Sequence, residues 1–186
     1  IKKVHPFIRL DGILAAFHTP EDGHTDPTST TNAMAKGARN GGAKIYRKNR
    51  VKDIKQLPSG EWKIFTENGD IICEHVVNAA GSFCPEVGAM VGLKQVPSIN
   101  MIHHYLVTES HPEIEKLKKE LPVTRDPEAS AYLRQEGKGL LIGPYEKDAK
   151  AWALDGMDWK FDMGLLEPEL DRIEKHLEIG MNRIPQ

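Results

Sequence analysis

Val76-Val77-Asn78-Ala79-Ala80-Gly81 carries no charge and passes from two β-branched residues into two alanines and a glycine. Such a run predicts a strand buried on both faces that closes in a tight turn of small residues. Side chains at Ala79, Ala80 and Gly81 are minimal or missing, so something approaches the main chain there. Two occupants meet that requirement: a helix packed into a crowded strand-to-helix corner, or a flat ligand.

Upstream of this run, residues 44–46 and 51–57 read as strands and Pro58-Ser59-Gly60 as a turn. Trp62, Ile64 and Thr66 alternate with Lys63, Phe65 and Glu67, and Asn68-Gly69 turns a hairpin that returns through Ile71-Ile72-Cys73. A small meander therefore precedes the central run. Before it, Asp26 as N-cap, Pro27 at the first helical position and Gly41-Gly42 at the end predict a helix. Its Ala33, Met34 and Ala38 suit close packing on a sheet. Residues 12–17 predict another strand, followed by turn chemistry at 20–24.

Downstream, residues 85–91 read as a helix closed by Gly92, and 101–108 as a strand. Ser110 with Glu113 predicts a capping box for a charged helix running to Glu120. Residues 132–134 and 139–145 predict a hairpin. Pro168 opens a last helix with Leu170, Ile173, Leu177 and Met181 on one face, and Glu167, Glu169 and Asp171 near its positive end.

The 186 residues are 39% hydrophobic and 28% charged, proportions of a globular domain large enough to build a core. A formal net charge of −2 gives no electrostatic case for nucleic acid or an anionic membrane as partner. Cys73 and Cys84 suit free thiols in a reducing compartment such as the cytoplasm. No apolar run reaches bilayer length and no signal-peptide pattern is present. With no initiating Met and an end just after a helical pattern, the chain reads as a piece of a longer protein.

Several chemistries lack their motif. No G-x-G-x-x-G follows a strand; Gly37-Ala38-Arg39-Asn40-Gly41-Gly42 falls at the end of a helix, and phosphate sites need the beginning. H-E-x-x-H, paired C-x-x-C, G-x-S-x-G and P-loop patterns are missing too, and no metal site is expected. His103 and His104, as strand neighbours, point to opposite faces, so at most one of them reaches a site. His103 shares its face with Met101, Tyr105 and Val107, and His104 with Ile102 and Leu106. Tyr132 and Arg134 share a face, where the guanidinium fork suits a small carboxylate; an exposed aromatic–arginine pair is the alternative. Arg125-Asp126-Pro127 reads equally as a local salt bridge at a turn.

The string DGHTDPTSTTNAMAKGARNGGAKI (22–45), followed by VVNAAG (76–81), resembles the dimethylglycine and sarcosine dehydrogenase family, flavoenzymes of the D-amino-acid-oxidase-like group. HHYLVTE (103–109), LPVTRDPE (121–128), YLRQE (132–136), GLLIGPYE (139–146), LDGMDWKF (154–161) and LLEPELDRIEKHLEIGMNRIP (165–185) match the same family in the same order. The resemblance implies an α/β (α+β) fold, a partial FAD-binding domain with a β-meander plus a substrate domain built on a large mixed sheet. Residues 1–20 and 93–165 would form the substrate domain, and 21–92 with 166–186 the partial FAD-binding domain.

The same resemblance implies that Val51, Ala80, Gly81 and Phe83 lie against FAD, that His103 and Tyr132 are catalytic, and that Arg134 and Tyr105 bind substrate. The implied reaction is FAD-dependent oxidation of an N-methyl amino acid at its CH–NH bond. The glycine-rich phosphate loop would precede residue 1, and a tetrahydrofolate site would follow residue 186. This chain alone is then expected to hold no FAD, to be inactive, and to form a homodimer through exposed sheet. A eukaryotic source would place it in the mitochondrial matrix. Similarity to a regulatory subunit of pyruvate dehydrogenase phosphatase supplies the alternative, a non-catalytic binding protein of the same fold.

Overall fold

Asp26 and Pro27 start the first helix as their chemistry requires. Asp26 Oδ1 accepts the Ser29 N–H at 2.7 Å, and Pro27 occupies a position where no donor is needed. Helix α1 (Pro27–Asn40) then ends at Gly41. In the computed structural model, which describes residues 1–185, the chain divides into two compact units.

One unit comprises Asp26–Met101 and Ala151–Gly164. Its centre is an antiparallel meander of β1 (Val51–Gln56), β2 (Trp62–Thr66) and β3 (Gly69–Cys73), in the order β1-β2-β3. The hairpin turns where Asn68-Gly69 predicts, with Thr66 opposite Gly69. A short 3₁₀ turn at Gly81–Phe83 leads into helix α2 (Cys84–Met90), which packs on β1. Strand β4 (Asn100–Met101) pairs antiparallel with β9 (Ala151–Trp152). Ile54, Gly88 and Met157 are buried here, while α1 buries no residue.

The other unit comprises Ile1–Thr25, Ile102–Lys150 and Leu165 onward. Strands β5 (Leu106–Val107), β6 (Thr124–Asp126), β7 (Ala131–Glu136) and β8 (Gly139–Pro144) form an antiparallel sheet in the order β5-β8-β7-β6. One face is apolar because the sequence alternates: Ala131 and Leu133 on β7 meet Pro144 and Ile142 on β8. Helix α4 (Leu170–Arg183) packs on that face through Leu177 and Gly180, and Ile8, Ala129 and Ile184 close the core. Each large aliphatic side chain buried this way contributes roughly 1.5–3 kcal/mol.

Polar contacts pin α4 at both ends. Arg183, buried at the C-terminal end, donates from Nε to Asp126 Oδ2 at 2.7 Å and from Nη2 to Glu128 at 2.9 Å. Its Nη1 reaches the carbonyls of Arg9 and Asp11. Burial alone would raise the Asp126 pKa, but the Arg183 guanidinium and the N–H groups of Ala129 and Glu128 outweigh it and hold the carboxyl below its ordinary value. At the other end Arg172 donates to Glu146 Oε2 at 2.6 Å.

Several expectations need correction. Val76-Val77 forms no strand: residues 74–80 pair with no sheet among the described residues, and Val77 is 86% exposed. An apolar run becomes a strand only where a neighbour supplies the hydrogen-bond ladder. Residues 12–17 and 44–46 stay irregular for the same reason, with Leu14 and Phe17 exposed. The predicted strand 101–108 is broken between the two units, so β4 and β5 pair with different partners. The charged helix is only α3 (Pro112–Glu115), capped by His111 and not by Ser110. Helix α4 packs on the four-stranded sheet, so the segment from Leu165 onward groups with that sheet and not with residues 21–92. Its buried residues are Ile173, Gly180 and Arg183, with Leu177 half-buried, while Leu170 and Met181 are exposed.

Candidate active-site face and cofactor corner

The sheet of the second unit has two faces, and α4 packs on one of them. Tyr132 lies between core residues Ala131 and Leu133 in sequence, so it projects to the face away from α4, as does Arg134. The register sets Tyr132 opposite both Arg125 on β6 and Gly143 on β8. Gly143 is there because the Tyr132 ring lies flat over it; a Cβ would run into the ring. Tyr145, two residues further along, stands on the same face with its ring 5.8 Å from that of Tyr132.

His103 joins this cluster. Its imidazole is 6.5 Å from the Tyr145 ring, and the side chain is exposed. Tyr105, also exposed, alternates onto the face of Val107. The structure thus brings His103, Tyr132, Tyr105 and Arg134 onto one sheet face. Arg134 is already engaged there: Nη2 pairs with Glu136, and Nη1 donates to the Gln135 carbonyl at 3.1 Å.

His104 resolves the choice between the paired histidines. It is buried, with Nδ1 2.7 Å from Glu146 Oε1 and Nε2 accepting the Glu169 N–H at 3.1 Å. That pair of contacts assigns the proton to Nδ1 and the lone pair to Nε2. The Glu146 side chain is 3% exposed and also accepts the His104 backbone N–H at 2.9 Å. Burial would raise the Glu146 pKa; the His104 side-chain and backbone bonds and the Arg172 charge reverse this and hold it low. Every polar atom of the His104 ring has a protein partner, so this residue fastens the strand and turns His103 to the open side.

Tyr145 and Arg125 are the residues that sequence reading missed. The Arg125 guanidinium lies 5.8 Å from the Tyr145 ring centre. Its expected salt bridge to Asp126 does not form, because neighbours on a strand face opposite ways and Asp126 is held by Arg183. A period-2 count from Tyr132 and Leu133 across the hairpin was the available signal for Tyr145.

The other unit holds the small-residue corner. Gly81 adopts φ 58°, a left-handed conformation that favours glycine, and no atom stands within 4 Å of where a Cβ would be. Asn78 shapes the corner, accepting the Ala80 N–H at 3.2 Å and donating to the Cys84 carbonyl at 2.9 Å. Neither a helix nor a side chain fills the space beside Gly81 among the described residues. Bare main chain and open volume fit a flat aromatic group. Phe83 has one ring face taken by Trp159, stacked at 4.9 Å and 9°, with Arg50 5.7 Å from the centre of the same indole. Val51 is half-buried at the start of β1. Among the described residues no cluster of His, Cys, Asp or Glu could hold a metal, and both cysteines are free.

The sequence matches the family described as DAO, FAD dependent oxidoreductase, over residues 1–186. The chain belongs to this family. Its match to mitochondrial dimethylglycine dehydrogenase of Mus musculus is 44% identical over 100% of this chain and 22% of that protein. For mitochondrial sarcosine dehydrogenase of Homo sapiens the figures are 33%, 99% and 20%. The chain therefore spans about a fifth of the length of these curated relatives. Among solved structures, L-proline dehydrogenase from P. horikoshii superposes with a TM-score of 0.73 at 25% identity, over 99% of this chain and 46% of that one. The FAD-dependent oxidoreductase fold thus accounts for the mixed α/β architecture and its several sheets.

Proposed function

We propose that the full-length protein oxidises N-methylated amino acids of the dimethylglycine and sarcosine kind at the CH–NH bond, with FAD bound. The observation that carries this reading is the gathering of His103, Tyr145 and Tyr132 on the sheet face opposite α4, in a chain of an FAD-dependent family. FAD, when bound, supplies the two-electron acceptor. Everything else falls to the chain's own residues.

An ammonium nitrogen has no lone pair with which to stabilise the iminium product, so the substrate must first lose a proton. His103, an exposed imidazole on this face, is assigned to take it. The Tyr132 hydroxyl is assigned to hydrogen-bond the substrate, held in place by its ring resting on Gly143. Tyr105 flanks the same face. Tyr132, Tyr145 and Tyr105 give methylated nitrogen the aromatic surroundings that such cations favour.

Ala80 and Gly81, with Val51 and the free ring face of Phe83, are assigned to FAD; the open space beside Gly81 supports that choice. The meander-bearing unit then serves the cofactor and the four-stranded unit the substrate. In a eukaryotic source the reaction would run in the mitochondrial matrix; the curated relatives are named as mitochondrial. No residue of this chain is assigned to tetrahydrofolate or to a dimer contact.

The test is spectroscopic. The purified full-length protein should show a flavin absorbance spectrum that dimethylglycine or sarcosine bleaches under anaerobic conditions and glycine does not. A colourless protein, or a flavin that no N-methyl amino acid bleaches, contradicts the proposal; a regulatory protein of the same fold would give that second result.

A further inference from the structure

We infer that Arg125 anchors the substrate's carboxylate, and that Arg134, the arginine beside Tyr132 on its own strand, does not. The inference rests on the reading of the sheet face as the amine site. Both arginines are on that face, but their surroundings differ. Arg134 is occupied, with Glu136 on one nitrogen and the Gln135 carbonyl on another. Arg125 has neither kind of partner among the described residues, where the half-buried Arg172 and the buried Arg183 are each paired with carboxylates. Its own neighbour Asp126 is turned to the other side of the strand and taken by Arg183 at 2.7 Å. What Arg125 does contact is the Tyr145 ring, 5.8 Å from its guanidinium, and its register partner across the sheet is Tyr132.

This leaves a planar five-donor fork unpaired, resting on an aromatic ring, beside the two residues assigned to the amine end. A guanidinium in that state suits a bidentate carboxylate, which an ammonium at the same place would hold only as a point charge. Spacing agrees. The imidazole of His103 and the guanidinium of Arg125 both lie near the Tyr145 ring, at 6.5 Å and 5.8 Å from its centre. Two groups that share one ring as neighbour can serve the two ends of one small amino acid, each through a hydrogen bond of about 3 Å. The arrangement therefore selects anionic N-methyl amines over uncharged ones.

The experiment measures equilibrium binding of N,N-dimethylglycine, and of N,N-dimethylethylamine, which lacks the carboxylate, to the full-length protein by calorimetry. Arg125→Gln should weaken dimethylglycine binding roughly 10- to 100-fold, the loss expected for a charge-assisted hydrogen-bonded pair, and leave dimethylethylamine unchanged. Arg125→Lys should recover part of the loss, and Arg134→Gln should stay within about 3-fold. Arg125 is exposed, so a melting temperature unchanged from wild type accompanies the result. Wild-type affinity in Arg125→Gln, the main loss appearing in Arg134→Gln, or no dimethylglycine binding by wild type overturns the inference. Binding that depends on Arg125 without flavin bleaching keeps the anchor and defeats the oxidation proposal. Bleaching at unchanged half-saturation in Arg125→Gln keeps oxidation and defeats the anchor.

Discussion

Helices α1 and α4 have the same length and comparable amphipathic patterns, yet one buries nothing and the other closes a core. Helix α4 buries Ile173 to 1% exposure, packs on the four-stranded sheet and fixes its last turn with Arg183. Helix α1 presents Met34 at 72% exposure, with no buried residue along its 14 positions. Its order comes from local chemistry, the Asp26 cap and the Pro27 start, and not from packing. Amphipathic periodicity states which face of a helix wants a partner; only tertiary structure supplies one.

Four substitutions sharpen that contrast. The largest effect is expected at Arg183→Ala, which strands Asp126 uncompensated and should lower stability to urea by about 3–5 kcal/mol. A loss of less than 1 kcal/mol would mean that the cluster behaves as an exposed ion pair. Ile173→Ala removes most of a fully buried side chain and should cost about 2–5 kcal/mol, read from the same unfolding curve. Asp126→Asn isolates the acid response. The Asp126 pKa is lowered in the fold, so its stabilisation is full above the unfolded value of about 3.9 and is lost as pH falls through the lower folded value. Wild type should therefore lose stability below about pH 4, and the Asn variant should be weaker at neutral pH with a flatter acid limb. Met34→Ala should shift stability by no more than about 0.5 kcal/mol. A loss as large as that at Ile173 would show that α1 is packed in the full-length protein.

Local signals were the most legible in the sequence. Asp26-Pro27 fixed a helix start, Asn68-Gly69 a hairpin, and alternation in the 131–144 hairpin put Tyr132 and Arg134 on one face. Signals that needed a partner failed. Val76-Val77 reads as a buried strand because buried strands are apolar on both faces, but no described strand lies beside it. The histidine pair was half legible: alternation separated His103 from His104, but only Glu146 and the Glu169 N–H show which is fixed and which faces the open side. Arg125 was hidden because its carboxylate neighbour in sequence suggested a pair that the strand's pleat forbids.

The central claim, that the His103-bearing sheet face is where the amine is prepared for oxidation, is tested most directly by anaerobic stopped-flow bleaching of the flavin in full-length His103→Ala at saturating dimethylglycine. Loss of a positioned base predicts a reduction rate roughly 100-fold slower or worse than wild type, partly regained at high pH where free substrate is already deprotonated. Bleaching at the wild-type rate across the same pH range would remove this face from the chemistry.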